Sequence, residues 1–296
     1  MKFWFSLLSL AVSLSVQAGI TIGTYNIRNF DYDERARIHT NKVELATTLK
    51  ALNADVLSIE EVNNTVEFGK FLATKMPGYA FEVSRCGGAH GQHLGFLFNK
   101  ATIEMLAFNE DLATSEPGRP GTCDSGSRPM AIALFKIKAT GQKFYGMTVH
   151  LKSGGHGDSL TKRAAQYNII KQTIKELTSK TGVKDFYVAG DFNTTEYRNR
   201  GLDYKNLTKV VSDLGMTDLT SNLACTAYYW GGTNDGIESP SMLDHIIVTP
   251  GLLKTKAQAK NHAHCQKVNC QEVPIRELGI IYEQVSDHCP ITATIQ

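Results

Sequence analysis

Short apolar runs rich in Ile, Val, Phe and Tyr recur along the whole chain, and helix-period segments separate only some of them. Residues 20–27, 55–59, 94–98, 130–137, 144–151, 186–189, 243–248 and 290–295 read as strands, and 42–52 and 159–177 as helices. Several neighbouring runs are too close for a crossover helix, so mixed or antiparallel sheets fit better than a doubly wound parallel one. In the second helix Leu160, Ala164, Tyr167, Ile170, Ile174 and Leu177 recur at helical steps, which puts one apolar stripe against a sheet. No repeat, linker or low-complexity stretch divides the chain, so one domain is expected.

The first eighteen residues stand apart. Met1 and Lys2 make a minimal basic start, the stretch to Val16 is uncharged, and Val16-Gln17-Ala18 offers the small residues a signal peptidase needs. The run is shorter than the roughly 20 apolar residues that span a bilayer. Residues 1–18 therefore read as a signal peptide cut after Ala18, leaving a secreted or periplasmic chain over 19–296 with no membrane span. The 31 Lys and Arg nearly balance the 29 Asp and Glu, so a polyanion partner must be held locally.

Six cysteines in an exported chain suggest disulfides. Their connectivity is not deducible, and Cys265 with Cys270 is the simplest local expectation. A metal cluster at His262, His264, Cys265 and Cys270 lacks a CxxC pair, and oxidation competes for both thiols.

The chemistry sits where strands end. Asn26, Glu60-Glu61, His150, Asp191-Phe192-Asn193 and Asp287-His288 each stand at or just beyond a terminus, and Asp244-His245 lies inside a sixth run. An ionised carboxylate in an apolar run is costly unless paired or bound to metal. Strand periodicity puts Asp191 and Asn193 on one face with Phe192 turned into the core, and Gly190 lets a substrate or metal approach the backbone. So many carboxylates in one cleft require a cation, and hard oxygen ligands suit Mg²⁺, with Mn²⁺ and Ca²⁺ as alternatives. With one or two imidazoles alongside, that set points to phosphate-ester hydrolysis. No GxSxG elbow or Walker loop competes with it.

Six segments in order carry a resemblance: Thr24-Tyr25-Asn26-Ile27-Arg28, Val56-Leu57-Ser58-Ile59-Glu60-Glu61-Val62, His150-Leu151-Lys152-Ser153, Gly190-Asp191-Phe192-Asn193, Leu243-Asp244-His245 and Ser286-Asp287-His288. Together they resemble the motifs of the endonuclease/exonuclease/phosphatase superfamily, most closely its secreted deoxyribonuclease I-like enzymes. The resemblance implies a four-layered α/β/β/α sandwich with two packed mixed β-sheets and the site at one end. It makes Glu61 the principal metal carboxylate, assisted by Asn26 and Asp287. Asp191 and Asn193 lie beside the phosphate and position water. His288, oriented by Asp244, is the general base or a phosphate-polarising imidazole, and His150 faces the leaving oxygen. Arg128, His150 and Asn193 contact the phosphate.

Departures from the pattern bear on substrate. Gln92 stands where a Glu supports the first catalytic His, Asn63 where an Arg enters the minor groove, and His90 near a groove-contacting Tyr. The lost arginine removes charge favourable for duplex binding. The leading reading is a monomeric, exported, divalent-metal-dependent endonuclease acting on DNA before RNA. The alternatives are a sphingomyelinase-like phospholipid or inositol-phosphate hydrolase, marked by exposed aromatics, and a non-catalytic binding or toxin-delivery subunit. Elsewhere, Lys254, Lys256, Lys260, Lys267, His262 and His264 read as a solvated basic loop, Tyr228 to Trp230 as packing, and Arg163 as a helix surface charge. The N-x-[ST] pattern at Asn193 favours a bacterial export route, since a glycan there blocks the site.

Overall fold

The computed structural model describes residues 19–119, 121–253 and 257–295. The expected signal peptide over 1–18 and Lys254 and Lys256 lie outside the described residues.

The chain enters through β1 (Ile20–Asn26), passes the short strands β2 (Tyr32–Asp33) and β3 (Ile38–His39), and reaches α1 (Lys42–Leu52). Next come β4 (Val56–Val62), α2 (Thr65–Lys75), β5 (Tyr79–Val83), β6 (His93–Asn99) and β7 (Ile103–Asp111). The middle holds β8 (Met130–Ile137), β9 (Lys143–His150), α3 (Gly157–Thr181), β10 (Phe186–Asp191) and α4 (Leu202–Asp213). Then follow β11 (Thr217–Asp218), β12 (Ala227–Tyr229), β13 (Ile237–Ser241), β14 (Asp244–Val248) and β15 (Lys260–Asn261). The last segment adds α5 (Ala263–Lys267), β16 (Val273–Pro274), α6 (Ile275–Leu278), α7 (Ile280–Gln284) and β17 (Ile291–Ile295).

Two six-stranded sheets result, ordered β15-β17-β1-β4-β6-β5 and β11-β14-β10-β9-β8-β7. Both are mixed, with β1 parallel to β4 and antiparallel to β17, and β10 parallel to β9 and antiparallel to β14. Side chains alternate between two cores. Ile22, Val56, Phe96, Ala133, Phe135, Tyr187 and Ala189 fill the space between the sheets. Tyr25, Leu57, Ile59 and Leu97 point the other way to meet Leu45, Leu49, Phe68 and Leu72 of α1 and α2, and Ile132, Met147 and Val188 meet Tyr167, Ile170 and Leu207 of α3 and α4. This is the expected helix–sheet–sheet–helix sandwich, since a strand buried on both faces must be covered on both.

α1 has the bounds read from sequence, closed by Asn41, whose side-chain oxygen accepts from Val43 N and Glu44 N. Other elements escape the periodicity test. Gly69 weakens the helical pattern of α2 without breaking the helix, α4 buries only Asp203 and Leu207, and a bulge between Met105 and Ala107 breaks the alternation of β7. In α3 the buried face begins as Ser159, Arg163 and Gln166 and becomes apolar only from Tyr167, so Leu160 and Ala164 are off it. Arg163 is thus a fully buried cation, not a surface charge.

Three disulfides join Cys86 to Cys123, Cys225 to Cys270, and Cys265 to Cys289. Cys265 and Cys270 are not partners: Cys265 lies within α5 and meets Cys289, whereas Cys270 follows the helix and meets Cys225. Their oxidation also removes the thiolates a metal cluster there needs. The expected basic loop is partly structured: Lys260 is in β15, Lys267 ends α5, and His264 is buried between Tyr228 and Tyr282. Among the described residues no helix is long and apolar enough to cross a membrane.

Candidate active site

Register brings the strand-end residues together. Asn26 stands opposite Glu60 in the parallel β1–β4 pair, and Asp191 is flanked by His150 on β9 and Asp244 on β14. Three neighbouring strands of one sheet therefore present His150, Asp191 and Asp244 at one level. Gly190, with φ of 138°, makes this possible: a Cβ there would lie 2.0 Å from Val149 O. The close approach it permits is that of β9, not of a ligand to the backbone. On the facing sheet β4 bulges between Ile59 and Val62, and Glu61 takes a left-handed φ of 65°. Such a backbone is costly for a residue with a side chain and recurs at functional sites.

Asp191 is the centre. Its Oδ2 lies 3.1 Å from His150 Nε2 and 3.8 Å from His288 Nε2, and accepts from Asn193 Nδ2 at 3.1 Å and Asn26 Nδ2 at 3.4 Å. Its Oδ1 accepts from Asn193 N at 2.8 Å. Asn26 Nδ2 also donates to Glu61 Oε1 at 3.0 Å, and Asn29 N to Glu61 Oε2 at 3.0 Å. His288 Nδ1 contacts both Asp244 oxygens, at 3.0 and 2.9 Å. Asn193 is buried and its amide nitrogen is taken up by Asp191 and Leu151 O, which leaves a glycan no access.

Charge separates the two imidazoles. Burial works against a proton on His288, yet Asp244 and Asp191 outweigh it and hold this histidine well above its ordinary range. At His150 burial, helped by Arg128, prevails over Asp191 and lowers the pKa. Burial alone would raise the Asp191 carboxyl, but the two imidazoles and the Asn193 N–H keep it far below the usual carboxylate range. Glu60, fully buried with Thr24 donating to Oε1 and nothing on Oε2, is pushed well up by burial and the nearby acids.

Arg128 is buried with Nε unpartnered, close enough for Glu61 and Asp191 to act on its charge. His150 Nδ1 also lacks a partner and stands 3.7 Å from Glu61 Oε1. Gln92 donates to Asn29 Oδ1 at 2.8 Å, so it braces the residue whose N–H holds Glu61 and leaves His150 alone. The Asp287 carboxylate has no hydrogen-bond partner among the described residues; its carbonyl accepts from Tyr228 N at 2.9 Å and contacts His264 Nε2 at 3.2 Å. Asn63 and His90 are exposed. Tyr228 packs as expected, whereas Tyr229 and Trp230 are about half exposed beyond it.

Two supporting residues escaped the sequence reading. Thr226 Oγ1 accepts from Leu243 N and Asp244 N, both at 2.9 Å, and Ser286 Oγ donates to Asn26 O at 2.7 Å, binding the last motif to the first. Ser286 belongs to the Ser-Asp-His motif, so its position was a readable signal; nothing local marks Thr226.

A four-layered sandwich with carboxylates, amides and imidazoles converging at one end of its sheets defines a phosphoester-hydrolase scaffold. The chain belongs to the endonuclease/exonuclease/phosphatase family, whose model matches residues 23–288. That family's enzymes hydrolyse phosphate esters and are generally dependent on a divalent metal. No curated protein matches the sequence. Similar solved structures include an endonuclease/exonuclease/phosphatase family protein of Bacteroides thetaiotaomicron, 17% identical, with a TM-score of 0.65, covering 94% of this chain and 97% of that one. A mannosyl-6-phosphatase of the same organism is 16% identical, with a TM-score of 0.64 and coverages of 94% and 99%. TDP2 of D. rerio, complexed with single strand DNA product, is 17% identical, with a TM-score of 0.61 and coverages of 94% and 98%. At these identities the likeness carries the fold alone.

Proposed function

We propose that residues 19–296 form one monomeric catalytic domain, exported after cleavage near Ala18, that hydrolyses phosphodiesters as an endonuclease on DNA and secondarily RNA. The observation that carries the reading is the ionised Asp191 within reach of two imidazoles, His288 held charged and His150 pushed towards neutral. A charged His288 polarises a phosphoryl oxygen, and Asp191 with Asn193 orients the attacking water. His150 serves the leaving-oxygen side, and Arg128, with its Nε free of protein partners, meets the phosphate charge. The donor set at Glu61, Asn26 and Asp287 is all hard oxygen and fits Mg²⁺, with Mn²⁺ or Ca²⁺ as substitutes. When bound, that ion neutralises charge on the phosphate.

Exposed Tyr229 and Trp230 support a second reading, a phospholipid headgroup hydrolase, because they stand two and three residues beyond Ala227, which bridges to His288. The intact acid–imidazole set argues against a non-catalytic subunit. Supercoiled plasmid, single-stranded oligonucleotide, RNA and sphingomyelin vesicles, each assayed with Mg²⁺, separate the readings. Cleavage of the nucleic acids alone supports the first, and release of phosphocholine alone replaces it with the second.

A further inference from the structure

Arg163 has no solvent exposure, and its guanidinium is saturated with acceptors. Nε donates to Asp203 Oδ2 at 2.8 Å, and Nη2 lies 2.8 Å from the same oxygen. Nη1 donates to Lys152 O at 2.6 Å and Gly154 O at 2.7 Å, and Nη2 to Thr195 Oγ1 at 3.0 Å. Asp203 is itself held, accepting from Tyr167 OH at 3.2 Å while its N–H donates to Glu196 Oε2 at 3.0 Å.

Gln166, the next buried residue on the same helix face, extends the set. Its Oε1 accepts from Lys152 N at 3.0 Å, and its Nε2 donates to Thr114 O at 2.8 Å. Thr114 Oγ1 in turn accepts from Met130 N at 2.7 Å. The anchor points share a spacing: Lys152 lies two residues beyond His150, Thr195 two beyond Asn193, and Met130 two beyond Arg128. One helix face thus grips three segments just past a side chain of the site.

Stability does not explain this investment in polar groups, because desolvation offsets most of the attraction in a buried ion pair. A lysine could neutralise Asp203 without aiming donors at two carbonyls and a hydroxyl at once. An arginine adds direction.

We propose that the Arg163–Asp203 pair, with Gln166, is a positioning device that fixes His150, Asn193 and Arg128 against one another. It rests on the phosphodiesterase reading only for what those three side chains do. The test compares wild type, Arg163→Lys and the exposed-site control Lys175→Ala by kcat and KM on bis-p-nitrophenyl phosphate and by imidazole NMR, at a temperature where circular dichroism shows all folded. The expected result for Arg163→Lys is a kcat loss of about a hundredfold at a KM within about twofold of wild type, the scale of misplacing reacting groups by about 1 Å. The His150 resonances shift while those of His39 on β3 stay. Wild-type kcat, or a loss that only tracks the folded fraction, with His150 unmoved, overturns the device. If wild type hydrolyses no phosphodiester, the catalytic reading fails on its own, and the His150 resonances still decide the positioning claim. Should Arg163→Lys not fold, Thr195→Val removes one strut and keeps the ion pair. It is expected to lower kcat severalfold at unchanged KM and to move the Asn193 amide signals, and unchanged kcat and signals count against the proposal.

Discussion

Asp244 holds His288 through both carboxylate oxygens, 3.0 and 2.9 Å from Nδ1, while the opposite ring nitrogen faces Asp191. The pair fixes the orientation of the ring and keeps it charged, since Asp244 is the strongest of the groups raising the His288 pKa.

Asp244→Asn replaces that carboxylate with a neutral amide of equal shape. We expect kcat to fall about 10²- to 10⁴-fold, as when a triad carboxylate is neutralised. The sign of the pH effect follows from the raised pKa: activity that needs the imidazolium is lost as pH rises, and in the variant that loss moves to lower pH. Paired pH–rate profiles check it, and identical alkaline limbs count against the assignment.

Glu61 supplies the acid expected to bear most of the metal affinity. Wild-type activity should vanish in EDTA and return with Mg²⁺. Glu61→Gln should need at least about 10- to 100-fold more Mg²⁺ for half-maximal rate, the scale of losing even an outer partner of a metal ligand. Metal titration of the rate measures this, and an unchanged half-saturation point removes Glu61 from the ligand set.

Cys265–Cys289 pins the residue that follows His288. Replacing both cysteines by alanine should cost about 2–5 kcal/mol, the range for native disulfides in secreted domains. Denaturant unfolding under oxidising conditions tests it; a midpoint equal to wild type shows the bridge to be dispensable.

His264 links pH to stability. Burial depresses its pKa to about 4. The unfolded chain therefore takes up this proton first as pH falls, so the stabilisation is complete above about pH 6.5 and is lost between there and about 4, on the order of 3 kcal/mol at most. His264→Phe, which keeps a ring between Tyr228 and Tyr282, should show a shallower fall in melting temperature from pH 7 to 4.5. Parallel slopes contradict this account.

What was legible in the sequence follows from what each pattern encodes. Strands buried on both faces print themselves as short apolar runs, so β1, β8 and β17 fall within a residue of expectation. Polar residues ending those runs stood out for the same reason, and parallel or antiparallel register then gathered Asn26, His150, Asp191 and Asp244. Periodicity counts only apolar residues, so it could not find a helix face that buries Arg163 and Gln166, nor α4, whose buried residues include Asp203. Contacts set by the path of the chain were also out of reach: Gln92 reaches Asn29 and not His150, and Cys265 meets Cys289 across 24 residues in preference to the nearer Cys270.

The central claim is that the site at Asp191 and His288 cuts phosphodiesters. The most direct test is conversion of supercoiled plasmid by oxidised protein beginning at Gly19, with Mg²⁺, beside an EDTA control and His288→Ala. The account predicts nicked and then linear DNA from wild type alone. Plasmid left supercoiled by folded wild type under Mg²⁺, Mn²⁺ and Ca²⁺, or cut equally by His288→Ala, contradicts it.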